Sequence, residues 1–211
     1  MRIFLAGASG VIGSRLLPLL VDAGHQVAAM TRTAAKLDAL RAAGATPVLC
    51  DVFDAAALSA HARHFVPDLL MHQVTELPDD RARIPDFRTR NDRVRSEGTR
   101  NLIDAARATR ARVLAQSIAW NIGPVIEAHE RLILEADGTV LRYGQFYGSG
   151  TYYQDPPPND LRIHVDEAAR QTLAYLAGPA GIFTIADEEI PPPQVTAGRT
   201  GLAPRSTTTD C

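Results

Sequence analysis

Lysine is almost missing from this chain of 211 residues: Lys36 stands alone against twenty-one arginines. No tyrosine occurs before Tyr143, so the first two-thirds of the sequence lacks the commonest phenolic proton donor. Cysteine is scarce too, with only Cys50 and Cys211, which excludes a disulfide framework and makes a reducing cytoplasm the default compartment. Cys50 ends an apolar strand and reads as a small buried hydrophobe. No apolar run reaches transmembrane length, and Met1-Arg2-Ile3 is already strand rather than signal peptide, so no membrane partner is expected. A net charge of −2 offers no global attraction to nucleic acid or to a membrane surface. The six histidines show no spacing tied to carboxylates or cysteines, so no metal site is expected. Nothing indicates an oligomer.

What is present is the composition of a soluble globular domain, 45% hydrophobic and 22% charged. Its most informative stretch is Gly7-Ala8-Ser9-Gly10-Val11-Ile12-Gly13. An apolar strand, Arg2 to Ala6, precedes it, and a helical pattern from Val11 to Ala23 follows, stopped by Gly24. A glycine turn between strand and helix lets backbone approach a pyrophosphate and aims free helix N–H groups at it.

Downstream, strands alternate with helices. Strands are expected at 26–30, 46–50, 68–71, 111–115 and 139–142, with helices over 34–43, 55–63, 87–108 and 125–134. This alternation predicts a doubly wound parallel sheet with right-handed crossovers, a Rossmann fold whose ligands sit beyond the carboxyl ends of the strands. Residues 1–187 form the expected domain, with a small substrate region from about 148; residues 188–211, led by Pro191-Pro192-Pro193, read as a loose tail.

Each strand end offers candidates. After the second strand stand Thr31 and Arg32, with Lys36 one turn further, where an acid would hold the ribose 2′-hydroxyl of NAD. A guanidinium there suits a 2′-phosphate, so NADP is expected and NAD is the lesser choice; a solvated surface arginine is the plain alternative. Asp51 and Asp54 are both candidate helix caps after the third strand.

The GxxGxxG spacing at the N-terminus resembles the short-chain dehydrogenase/reductase superfamily, in its extended epimerase/dehydratase-like branch, and the resemblance runs from residue 1 to about 187. It implies that Asp51 meets the adenine amino group and Val52 packs on the ring. Met71-His72-Gln73-Val74-Thr75 is similar to the family's His-x-Ala-Ala signature, which places the backbone of Gln73, Val74 and Thr75 along the cofactor riboses. Asn91 and the run Gly98-Thr99-Arg100-Asn101-Leu102 look like the family's long helix, Asn91 steadying the loop by the active site. The resemblance assigns Ser117 to the substrate oxygen and the segment around Phe146 to the nicotinamide carboxamide. An ordinary strand-end hydroxyl remains the alternative for Ser117.

The family's Tyr-x-x-x-Lys proton-transfer pair is missing: that register falls on Ile122 and Ile126. Tyr143 is the best substitute by type, against its alternative as a packed aromatic; His129 reads as a surface residue. About fifteen residues separate Gly148 from His164, so the substrate cap is rudimentary. Two functions stay open. One is an atypical NADP-dependent oxidoreductase or epimerase acting on a small carbonyl or hydroxyl compound, and the other is a non-catalytic NADP(H)-binding sensor or regulatory module.

Overall fold

The computed structural model describes residues 1–158 and 160–187. The expected tail, 188–211, lies outside the described residues. Seven parallel strands form the main sheet: β1 (Arg2–Ala6), β2 (Gln26–Thr31), β3 (Thr46–Leu49), β4 (Leu69–His72), β5 (Arg112–Ile118), β6 (Thr139–Tyr143) and β9 (Gly181–Ile185). Their spatial order is β3-β2-β1-β4-β5-β6-β9, so the chain reverses direction across the sheet between β1 and β4. That reversal opens a crevice above the carboxyl ends of the strands. The order is that of a doubly wound Rossmann sheet, as the alternation of strands and helices implied.

Alternate side chains of each strand feed two separate cores. Ile3, Leu5, Leu114, Leu141 and Tyr143 face α1 (Gly13–Asp22), α2 (Leu37–Ala42) and α7 (Val165–Thr172). Phe4, Ala6, Val113, Ala115 and Val140 face α3 (Ala55–Phe65), α5 (Thr99–Thr109) and α6 (Pro124–Glu135). Period-2 alternation in buried strands produces these two layers directly. The Asp54 carboxylate caps α3 by accepting the Ala57 N–H at 3.0 Å. Pro124 opens α6, where a missing N–H costs nothing.

The helix expected over 87–108 is interrupted. α4 (Ile84–Arg93) leads into a widened π turn, Val94–Gly98, before α5 begins. There the Thr99 hydroxyl donates to the Val94 carbonyl at 3.2 Å, and Gly98 sits so close to Val52 that a Cβ would lie 3.2 Å from its methyl. The wide turn lets the helix stay in contact with the exit of β3. Beyond β6, a two-stranded parallel sheet, β7 (Gln145–Tyr147) with β8 (Arg162–His164), forms the only other sheet among the described residues. No described helix is long and apolar enough to cross a membrane.

Candidate dinucleotide-binding site

The three glycines after β1 do different work. Gly7 has φ +86°, and a Cβ there would lie 2.6 Å from the Gln73 carbonyl and 2.8 Å from the Val74 nitrogen. Gly13 packs against the turn itself, since its Cβ would stand 2.1 Å from the Gly7 oxygen. Both are demanded by the fold. Gly10 is different: it is exposed, its N–H donates to the Gly7 carbonyl at 3.0 Å, and a Cβ would meet only that oxygen at 3.3 Å. Its outer face is therefore open to a ligand. The N–H groups of Val11 and Ile12 have no intramolecular partner among the described residues, while the next turn is closed by Ser14 N–H to Gly10 and Leu16 N–H to Ile12. A bare Gly10 face with unpaired N–H groups at the start of α1 fits a pyrophosphate.

The turn is tied to its neighbours. The Ser9 and Thr31 hydroxyls lie 2.9 Å apart, Lys36 Nζ donates to the Ser9 carbonyl at 3.2 Å, and Ala8 N–H donates to Met30. Thr31 is buried, and Arg32 follows it into solvent. Arg32 is not free: its Nη1 and Nη2 donate to the two carboxylate oxygens of Glu76, the second at 3.1 Å. Glu76 is a buried acid four residues beyond β4, and its own N–H donates to Asn91 Oδ1 at 3.1 Å. Asn91 is thereby tied to the loop that follows β4. Sequence reasoning missed Glu76, for Arg32 and Glu76 are 44 residues apart and no local pattern joins them.

At the end of β3, the Asp51 carboxylate accepts the Phe53 N–H at 2.9 Å and is otherwise exposed, while Asn101 Nδ2 holds the Val52 carbonyl at 3.0 Å. Gln73 and Val74 leave β4 beneath Gly7, and Thr75 is exposed beside them. Phe146 is half-buried on β7, its ring 5.3 Å from that of Tyr143.

The two residues expected to be catalytic stand at the ends of their strands, and both are buried. β5 runs to Ile118, three residues further than expected, so Ser117 is still inside the ladder, opposite Arg142. It follows Val113 and Ala115 onto the α6 face, where it is 0% exposed and its hydroxyl donates to Glu130 Oε1 at 2.7 Å. Glu130 in turn takes both Arg142 hydrogen bonds, at 2.8 and 2.6 Å. Burial works to raise the Glu130 pKa, but the Arg142 and Ser117 bonds outweigh it and hold the carboxyl below its ordinary range. Tyr143, expected just past the strand end, is the last residue of β6 and 2% exposed, its hydroxyl 2.7 Å from that of Thr172. Burial raises its pKa far above a usable range. Strand alternation carried the signal for both, since Ser117 continues the face of Ala115 and Tyr143 that of Leu141.

His129 also corrects the expectation, being 1% exposed rather than a surface residue. The Thr99 hydroxyl lies between His72 Nε2, at 3.1 Å, and His129 Nδ1, at 2.9 Å, and His129 Nε2 reaches the Gln116 carbonyl at 2.9 Å. Burial pushes His129 down to about 4 and His72 well below its usual value. Both rings are neutral struts joining β4, α5 and α6. No described group of three His, Cys, Asp or Glu residues could hold a metal ion.

Three tyrosines, Tyr147, Tyr152 and Tyr153, stand beyond β6, the last with Arg81 over its ring at 4.7 Å. Arg15, on α1, donates to the Val11 carbonyl and to Asp166, each at 2.8 Å, and also to the Ser149 carbonyl. The Tyr147 hydroxyl donates to Asp187 at 2.9 Å, and the Tyr152 hydroxyl to the Pro78 carbonyl. Neither phenol is left free, and the pKa of each is raised, first by burial and then by the nearby aspartates.

This geometry defines a dinucleotide-binding protein, and comparison gives its family. The family described as NAD(P)H-binding matches residues 7–137. A Streptomyces 3-diazoavenalumate denitrifying reductase is 32% identical over 241 aligned residues, covering 91% of this chain and 78% of the relative. Among solved structures, the UDP-glucose 4-epimerase of Thermus thermophilus, in complex with NAD, superposes with a TM-score of 0.72 at 17% identity, covering 88% of this chain and 78% of that one. The Thermotoga maritima UDP-glucose 4-epimerase gives 0.72 at 15% identity, over 88% and 77%. The chain belongs to the NAD(P)H-binding family, and its fold is that of the epimerase branch of the short-chain dehydrogenases/reductases.

Because Ser117 is one arm of a buried cluster, Ser117→Ala is expected to cost about 1 to 3 kcal/mol of stability. Dinucleotide affinity should stay unchanged. Urea unfolding and a titration check both. A hundredfold fall in turnover at unaltered stability would return Ser117 to the reaction.

Proposed function

We propose that this protein is an NADP(H)-dependent reductase of a small electrophilic compound, a carbonyl or its hydroxyl counterpart in the reverse direction, working without a Tyr-x-x-x-Lys pair. The observation that carries the reading is the open Gly10 face at the start of α1, with Arg32 and Lys36 at the exit of β2, where the carboxylate that reaches Arg32 is that of Glu76 from beyond β4. Gly10, Val11 and Ile12 offer backbone to the pyrophosphate, Asp51 and Val52 receive the adenine, and Arg32 with Lys36 meets the 2′-phosphate. Gln73, Val74, Thr75 and the Phe146 segment line the nicotinamide half. When bound, the cofactor supplies a hydride carrier.

The chain's part is to bind and orient, which alone supplies a large share of rate in such chemistry. Ser117, Glu130 and Arg142 brace β5 and β6 against α6, and a proton at the substrate comes from solvent rather than from Tyr143. The Streptomyces relative supports a reductive direction and puts diazo compounds beside carbonyls as candidates. A diazonium carbon that received a hydride would lose N2 as its C–N bond breaks and a C–H bond forms, so no alkoxide would await protonation. The burial of Ser117 and Tyr143 also favours a second reading, a non-catalytic NADP(H)-binding module. Two cysteines in the chain, and a Cys50 thiol that burial pushes up to about 11, fit a reducing cytoplasm.

Arg32→Asp is the test of the cofactor choice: it should flatten or reverse a preference for NADPH over NADH. Turnover of a carbonyl and diazo panel then separates reductase from binding module. NADPH binding with no turnover anywhere on the panel selects the module.

A further inference from the structure

We propose that the Arg32–Glu76 ion pair is a latch across the dinucleotide groove, and that Glu76 sets how strongly Arg32 answers a 2′-phosphate. This rests on the reading that Arg32 addresses that phosphate. β2 and β4 both flank β1, so the glycine turn leaving β1 lies between their exits. Arg32 follows β2 and Glu76 stands beyond β4, and a bond joining the two side chains therefore spans the mouth of the turn. The two ends are unequal. The Glu76 side chain is 8% exposed and its backbone is pinned by Asn91, whereas the Arg32 side chain is 58% exposed. Glu76 is the fixed post and Arg32 the arm.

A guanidinium that donates two N–H groups to one carboxylate has its bidentate edge occupied. A phosphate arriving at Arg32 must displace Glu76 or bind beside it. Displacement strands a carboxylate in a pocket that gives it little water, and binding beside it sets two anions against each other. Either way Glu76 taxes the 2′-phosphate and leaves a plain ribose untaxed. The latch accordingly narrows the gap between NADPH and NADH that Arg32 alone would set, and specificity here is a difference between two affinities.

Calorimetric titration with adenosine 2′,5′-bisphosphate and with 5′-AMP tests this without any turnover, on the unmodified protein and on Glu76→Gln. The glutamine variant should bind the bisphosphate about tenfold more tightly, with 5′-AMP unchanged. Glu76→Asp, which keeps the charge but loses reach, should move the same way by less; it also serves if Glu76→Gln fails to fold by urea unfolding. If the unmodified protein prefers the bisphosphate and the variants bind it equally or more weakly, the latch is overturned while the Arg32 reading stands. If neither protein distinguishes the two nucleotides, the Arg32 reading itself fails. Weaker 5′-AMP or NADH binding in Glu76→Gln would make Glu76 the ribose partner, and that too overturns the latch.

Discussion

Gly10→Val is expected to weaken dinucleotide binding by about 100-fold or more, roughly 3 kcal/mol, while the protein stays folded. The reason lies in how unequal the three glycines are. A Cβ at Gly10 would meet only the Gly7 oxygen, at 3.3 Å, a contact relieved by a shift of a few tenths of an ångström, and the backbone there does not demand positive φ. The fold therefore accepts it, but a β-branched side chain fills the face on which a pyrophosphate would rest. Gly13→Ala should behave in the opposite way. Its Cβ would overlap the Gly7 carbonyl at 2.1 Å, and backbone cannot swing aside as a flexible side chain would, so the main loss is in stability, on the order of 1 to 3 kcal/mol. Circular dichroism melts and NADPH titration of the two variants separate the effects. Unchanged affinity in a folded Gly10→Val protein would reduce the loop to a structural turn.

The second large effect is acid lability centred on the histidine struts. His129 has an ordinary value of 6.5 when unfolded and about 4 when folded. Its folded value is depressed, so the unfolded chain takes up the proton first as pH falls. The stability this neutral ring contributes is complete above pH 6.5, drains between 6.5 and 4, and does not change further below. That interval amounts to about 3 kcal/mol from His129 alone. His72, shifted in the same direction by burial and by its neighbour, adds to the loss. Glu130 contributes later, because its depressed pKa keeps its ion pair intact until the pH falls below the ordinary carboxylate range. Urea unfolding at half-unit steps from pH 7.5 to 4.5 reads the slope, and His129→Gln should flatten it. A stability that is level from pH 7 to 5 would contradict the neutral buried pair.

The histidines mark where the sequence stops being legible. Strand, glycine turn and helix from Arg2 to Asp22 are readable because each uses local signals: an apolar run, a turn residue and a 3.6-residue period. Six of the seven main strands follow from the same local signals, their ends falling within three residues of expectation. The terminus of β5 is the one that matters, because three extra residues of ladder turn Ser117 inward. His129 reads as surface because its partners, Thr99 and Gln116, come from other elements and leave no trace in the helix's own period. The same holds for Glu76, whose meaning lies wholly in an arginine from a distant strand end. Backbone conformation at strand ends is legible in a way that side-chain networks between elements are not.

Titration of the unmodified protein with NADPH and with NADH, at one fixed salt concentration, bears most directly on the claim that this groove holds a 2′-phosphorylated dinucleotide. One NADPH per chain is expected, bound more tightly than NADH, with the difference shrinking as salt is raised. Equal affinity for the two cofactors, or no binding of either, would contradict it.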